Sequence, residues 1–182
     1  MPKENIGYLV SESITLGSDT KVIKEKESSI VFQAQLQEAN VPNRNGRIYP
    51  KEVIQTALDA PNVREKIEHK AFYGECGHPL EDDKKRQLYI DQTKISHIVN
   101  RVWWDGNVLM GEVETAATRA GKDMMGLIKQ GSQPAFSMRG LTAGTRQEGN
   151  YSKVLSPLLI SSYDWVFWCL PCISANSIHW FV

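Results

Sequence analysis

The chain has 182 residues, 41% of them hydrophobic, enough to bury one core and too few to build a second domain around another. Lys plus Arg and Asp plus Glu balance at 21 each, so bulk charge provides no field to hold nucleic acid or an anionic membrane, and a protein or small-molecule partner is expected. The opening MPKENIGYLV lacks a basic region followed by an apolar run, no apolar stretch reaches about 18 residues, and Cys76 is isolated in an odd set of three cysteines, so a soluble, intracellular chain with reduced thiols is expected.

Residues 29–39, SIVFQAQLQEA, alternate Ile30, Phe32, Ala34 and Leu36 with more polar neighbours, the period of a half-buried strand. The Asn/Gly/Pro-rich stretch 40–50 reads as a loop, with Pro50 placed to open a helix through Val53, Ile54, Ala57 and Leu58. Pro61 ends that helix, and a short second one follows. ISHIVNRVWW (95–104) and NVLMGEVE (107–114) flank Asp105-Gly106, the dipeptide suited to a type I′ turn, and predict a hairpin. Residues 117–131 place Met124, Leu127 and Ile128 at helical spacing and stop at Gly131. Residues 135–142 and 158–168 read as strands, separated by a polar loop around Gln147-Glu148-Gly149-Asn150. The whole is an α+β pattern, mostly antiparallel, with helices inserted between strands. Neither GxxxxGK[ST] nor GxGxxG occurs, so nucleotide chemistry has no support and no cofactor is expected.

Two stretches carry reactive groups. In GECGHPLEDD (74–83), Gly77 frees the backbone before His78, and Pro79 biases His78 toward an extended conformation, so the imidazole sits at a constrained turn. Such a histidine serves either as a general base or as an exposed loop residue. In QPAFSMRG (133–140), 59 residues beyond His78, Ser137 lies inside an apolar strand just before Arg139 and Gly140. A buried hydroxyl needs a partner: a base that makes it a nucleophile, with Arg139 or a backbone N–H near Gly140 at the oxyanion, or a backbone acceptor that makes it purely structural.

Taken in order, Asn43 to Pro50 (NRNGRIYP), Gly74 to Pro79, VWWDGNVLMGEVET (102–115), Gly121 to Gly131 and FSMRG (136–140) resemble tailed-phage prohead core proteases, the capsid maturation serine proteases, over about residues 30–168. That family is similar in fold to herpesvirus assemblins, so the resemblance implies an antiparallel β-barrel surrounded by helices. It also implies that His78 is the base and Ser137 the nucleophile. For the third member it points to Asp164, on the strand after the nucleophile strand, where assemblins place a histidine. His97, on the hairpin, is the alternative; Glu75 and the charge-run residues Asp82 and Asp83 are weaker candidates. Arg139 would support the oxyanion, as an arginine does in assemblins. Asn43, Asn45, Gly46 and Arg47 either touch substrate or only shape their loop. The implied activity is that of a serine endopeptidase cutting scaffold and major capsid precursors after glutamate, inside the assembling prohead in the host cytoplasm. Self-association is allowed for; nucleic-acid or membrane partners are not expected.

From Trp165 to Val182 the chain has no Asp, Glu, Lys or Arg, and the family's D-x-V-x-x-P-S pattern is interrupted. We therefore expect a protease domain over 1–168 and an atypical tail over 169–182, produced by a frameshift, a truncation or a sequencing error. Two other readings follow: an inactive homologue or scaffold component, and a zinc domain built on Cys76, His78, Cys169 and Cys172. The family motifs favour no metal.

Overall fold

The computed structural model describes residues 8–13, 20–79 and 86–166. The half-buried period of residues 29–39 becomes β3 (Ile30–Glu38), with Ile30, Phe32, Ala34 and Leu36 in the core. β6 (Ile95–Asp105) and β7 (Val108–Thr115) form the hairpin, with Asp105 opposite Val108. Its two turn residues are Gly106 and Asn107. Of the two only Gly106 has positive φ, at +58°, the Gly-first pattern of a type II′ turn rather than the expected type I′.

Pro50 opens α1 (Lys51–Leu58), which buries Val53, Ile54, Ala57 and Leu58 on one face, and Pro61 starts α2 (Pro61–Glu68) at its first turn. In α3 (Arg119–Lys129) the Thr118 hydroxyl caps the start by accepting from the Gly121 amide at 3.0 Å. Its end is set by Gly131 at φ +88°, with the Gly131 and Ser132 amides donating to Ile128 and Leu127.

The expected closed barrel is not what forms. Among the described residues the strands make a five-stranded sheet in the order β2 (Lys21–Glu25), β3, β7, β6, β5 (Tyr73–Glu75), and a three-stranded sheet of β1 (Tyr8–Ser13), β8 (Ala135–Thr142) and β11 (Leu158–Val166). On one side the two sheets touch through a single bridge between Cys76 and Trp165. On the other, β2 takes the outer edge of β3 and β1 takes the outer edge of β8, so neither edge is left to complete a ladder. The faces pack instead. Phe32 stacks on Phe136 at 6.3 Å, and Met138 and Tyr163 join the same fully buried core. Each such aromatic contributes about 2–3 kcal/mol by leaving water.

The polar loop read at 143–157 is itself a hairpin of β9 (Thr145–Glu148) and β10 (Tyr151–Val154), extended by β4 (Arg47–Ile48). Among the described residues no helix is long and apolar enough to cross a membrane.

Candidate active site

β8 is buried on both faces, and its alternation sorts the two chemistries. Phe136 and Met138 enter the apolar core, while Ser137 and Arg139 point the other way. Across the ladder Ser137 pairs with Asp164 and Arg139 with Ser162, after a bulge between Ile160 and Ser162. Four polar side chains, all fully buried, therefore make a two-by-two patch on one face of β8 and β11.

His78 reaches this patch from the end of β5. The Cys76 amide donates to Lys94 O at 2.9 Å, and the chain then turns at Gly77, φ +79°, whose amide donates to Trp165 O at 2.7 Å. That pins the turn beside the residue following Asp164. The imidazole bridges the patch: Nδ1 lies 2.8 Å from Asp164 Oδ2 and Nε2 lies 2.6 Å from Ser137 Oγ. An ionised carboxylate only accepts, so the proton sits on Nδ1 and Nε2 is left to accept from the serine hydroxyl. The His78 side chain is 19% exposed, and Asp164 is shut off from solvent.

Asp164 is surrounded by donors. Oδ1 accepts from the Glu75 amide at 3.0 Å, the Ser162 hydroxyl at 2.8 Å and Arg139 Nη2 at 3.4 Å, and Arg139 Nε lies 3.1 Å from Oδ2. Burial alone would push this carboxyl up, but the His78 hydrogen bond, the Arg139 charge and the Glu75 amide together hold it below the usual range. It stays anionic beneath the histidine.

A family model described as the Peptidase S80 family matches residues 15–173. The chain belongs to the Peptidase S80 family. It is 28% identical over 116 residues to the prohead core protein protease of Enterobacteria phage T4, a match covering 63% of this chain and 51% of that protein. The chain thus spans about half the length of the curated relative it matches. The solved structure of the bacteriophage T4 capsid assembly protease, gp21, superposes with a TM-score of 0.75 at 22% identity, covering 90% of this chain and 99% of that one. The two share an α+β, assemblin-like fold.

The remaining candidates in this S80 chain fall elsewhere. His97 is fully buried with both nitrogens engaged: Nε2–H donates to Tyr163 O at 2.9 Å, and Nδ1 accepts from the Ser96 hydroxyl at 2.9 Å. Its ring also packs edge-on against Phe136 at 5.0 Å, so it braces the core, with its nitrogens bonded to groups other than His78. Arg139 is committed to Asp164, Ser162 and Glu75, with Nη1 unpartnered among the described residues. Gly140 is paired on both sides, with Val10 and Ile160, and a Cβ there would lie 2.3 Å from Leu159 O. It is glycine because β11 approaches so closely.

Asn43 shapes its loop, its Oδ1 accepting from the Asn45 and Arg47 amides at 3.0 and 2.9 Å, with Gly46 at φ +68°. Asp82, Asp83, Cys169 and Cys172 lie outside the described residues. Glu75 is a partner that sequence reasoning ranked low, and Ser162 is one that it missed. Ser162 is two residues from Asp164 on one strand, so the strand period alone puts it on the same face.

Proposed function

We propose that the chain is a serine endopeptidase in which Ser137 is the nucleophile, His78 the general base and Asp164 the group that orients it. The observation that carries the reading is the single imidazole lying 2.6 Å from Ser137 Oγ and 2.8 Å from Asp164 Oδ2. Nε2 takes the serine proton as Oγ attacks a peptide carbonyl, and the imidazolium returns that proton to the leaving amine. Water then enters by the same route to release the acyl group. The buried Asp164 carboxylate, already carrying Nδ1–H, stabilises the imidazolium without taking its proton. Arg139 Nη1, buried and unpartnered among the described residues, is the donor this reading assigns to the oxyanion, directly or through water.

Membership of the S80 family, with relatives described as a prohead core protein protease and a capsid assembly protease, supports scaffold and major capsid precursors as the substrates. The reaction then takes place inside the assembling prohead in the host cytoplasm, with cuts after glutamate. The zinc reading loses ground because both His78 nitrogens are already engaged.

The test is to incubate the purified protein with the scaffold and capsid proteins of its own phage and map the new ends by mass spectrometry. Ser137→Ala should lose several orders of magnitude in turnover while costing only about 1 kcal/mol of stability. Cleavage by Ser137→Ala at the parental rate overturns the nucleophile assignment, and an inactive but folded parent favours the scaffold-component reading.

A further inference from the structure

Glu75 has no solvent exposure, yet it is a carboxylate, and a lone buried carboxylate is costly by several kcal/mol. Among the described residues its two oxygens receive four donors. Arg86 grips it as a two-pronged fork, Nη1 on Oε1 at 3.1 Å and Nη2 on Oε2 at 2.5 Å. The Asp91 amide donates to Oε1 at 2.7 Å, and Arg139 Nη2 donates to the same atom at 3.2 Å. Its own backbone amide donates to Asp164 Oδ1. Charges therefore alternate across the site as Arg86, Glu75, Arg139, Asp164, ending on the His78 ring.

The geometry points to Glu75 as a positioning residue that acts through Arg139 on the Asp164–His78 hydrogen bond, touching no substrate itself. Loss of Glu75 would act through Arg139. The guanidinium is fully buried, and among the described residues only two carboxylates reach it. With Glu75 anionic, Nη2 is held toward Oε1, and Arg139 approaches Asp164 with Nη2 at 3.4 Å from Oδ1 and Nε at 3.1 Å from Oδ2. Oδ2 remains available to His78 Nδ1–H at 2.8 Å. With glutamine at position 75, Asp164 is the sole anion among the described residues for a buried cation whose fork matches a carboxylate; Nη2 is then free to close its 3.4 Å approach to Oδ1 and Nε to turn from Ser162 Oγ, 3.2 Å away, toward Oδ2, so Arg139 competes with Nδ1–H for Oδ2 more strongly than it does with glutamate there. The Glu75 charge thus draws Arg139 toward itself and limits its claim on the acceptor that it shares with His78. Tethering by Arg86 also fixes the backbone of Glu75, three residues before His78.

The inference rests on the triad reading for its meaning in catalysis, and its test is chosen to be readable apart from that reading. Proton NMR of the uncomplexed protein reports the His78 Nδ1–H shared with Asp164 as a far-downfield resonance, assigned by its loss in His78→Gln. In Glu75→Gln this resonance should move upfield or broaden away. Turnover should fall on the order of 10²-fold, the size of an ångström-scale misplacement, with KM unchanged. A purely structural Glu75 would lower the melting temperature and leave the resonance and kcat of the folded fraction where they were. Glu75→Asp keeps the charge but is one methylene shorter, and should show the same changes to a smaller degree. A folded Glu75→Gln with the parental resonance and turnover overturns the inference, and so does failure of both variants to fold, which would make Glu75 a folding residue. If the parent itself cleaves nothing, the peptidase reading fails while the resonance still decides the role of Glu75.

Discussion

His97 shows how a single buried group sets a pH limit on the whole protein. Burial drives its pKa down to about 4 from the ordinary 6.5, outweighing the opposing pull of Asp164 and of the Tyr163 carbonyl. The unfolded chain takes up a proton on this ring below about pH 6.5, and the folded one refuses it down to about 4. The resulting stability is complete above pH 6.5 and is lost as pH falls toward 4, amounting to about 2 kcal/mol by pH 5. Asp164 acts in the same direction but lower on the scale: its depressed carboxyl contributes stability above the usual carboxylate range and loses it on further acidification. Urea midpoints measured between pH 7.5 and 5 should therefore fall for the parent and much less for His97→Gln, whose amide can still bond Tyr163 O and Ser96. Equal pH slopes in the two proteins would show that His97 is not the group responsible. The local motifs brought out His78 and Ser137 as reactive side chains but left a bland reading open for each; their roles as base and nucleophile, like the ranking of Asp164 above His97, came from the family resemblance. What separates them physically is which carboxylate or ring faces His78, a matter of three strands meeting, and no local pattern encodes it.

At the scale of the element, legibility followed exposure. β3, the β6–β7 hairpin, α1 and α3 bury one face each, so their periods show in the sequence. β2, KVIKE, is exposed at every position, as is β9, TRQE, and neither has a face for hydrophobicity to mark. The glycines around His78 make a sharper test of how β5 was built. A Cβ on Gly74 would stand 2.2 Å from Tyr163 O and from the His97 ring, and the backbone oxygen belongs to a paired strand that cannot easily yield. A Cβ on Gly77 would meet nothing within 4 Å among the described residues, so the penalty they show is the left-handed backbone, φ +79°. Gly74→Ala should cost about 3 kcal/mol by overpacking. Gly77→Ala should cost about 1–2 kcal/mol in stability but move His78, so turnover should suffer more than folding. Denaturation and peptide cleavage measured on both variants check this, and the reverse order of stabilities would mean that β5 can move away from β11.

For the molecule as a whole, the barrel expectation failed because closure is a property of strand edges that meet from distant parts of the chain. β1 and β2 cover the outer edges of β8 and β3, and among the described residues the two sheets are joined by one bridge at Cys76 and by packing. The packing then carries the structural unity that a continuous ladder would otherwise supply. Phe136 is central to it: it follows Ala135 at the start of β8, stacks on Phe32 of β3, receives the edge of His97 from β6, and immediately precedes Ser137. Removing its ring should therefore weaken both sheets together. Phe136→Ala is expected to lose about 3–5 kcal/mol, the cost of a large core cavity. Native-state hydrogen exchange can read this strand by strand. If the sheets share one cooperative core, the slowest amides of the β6–β7 hairpin and of β8–β11 should open with the same free energy in the parent and drop by the same amount in the variant. A drop confined to β8 and β11 would mean that the sheet bearing Ser137 and Asp164 unfolds separately from the one whose edge strand leads to His78, and that His78 can part from Ser137 and Asp164 without global unfolding.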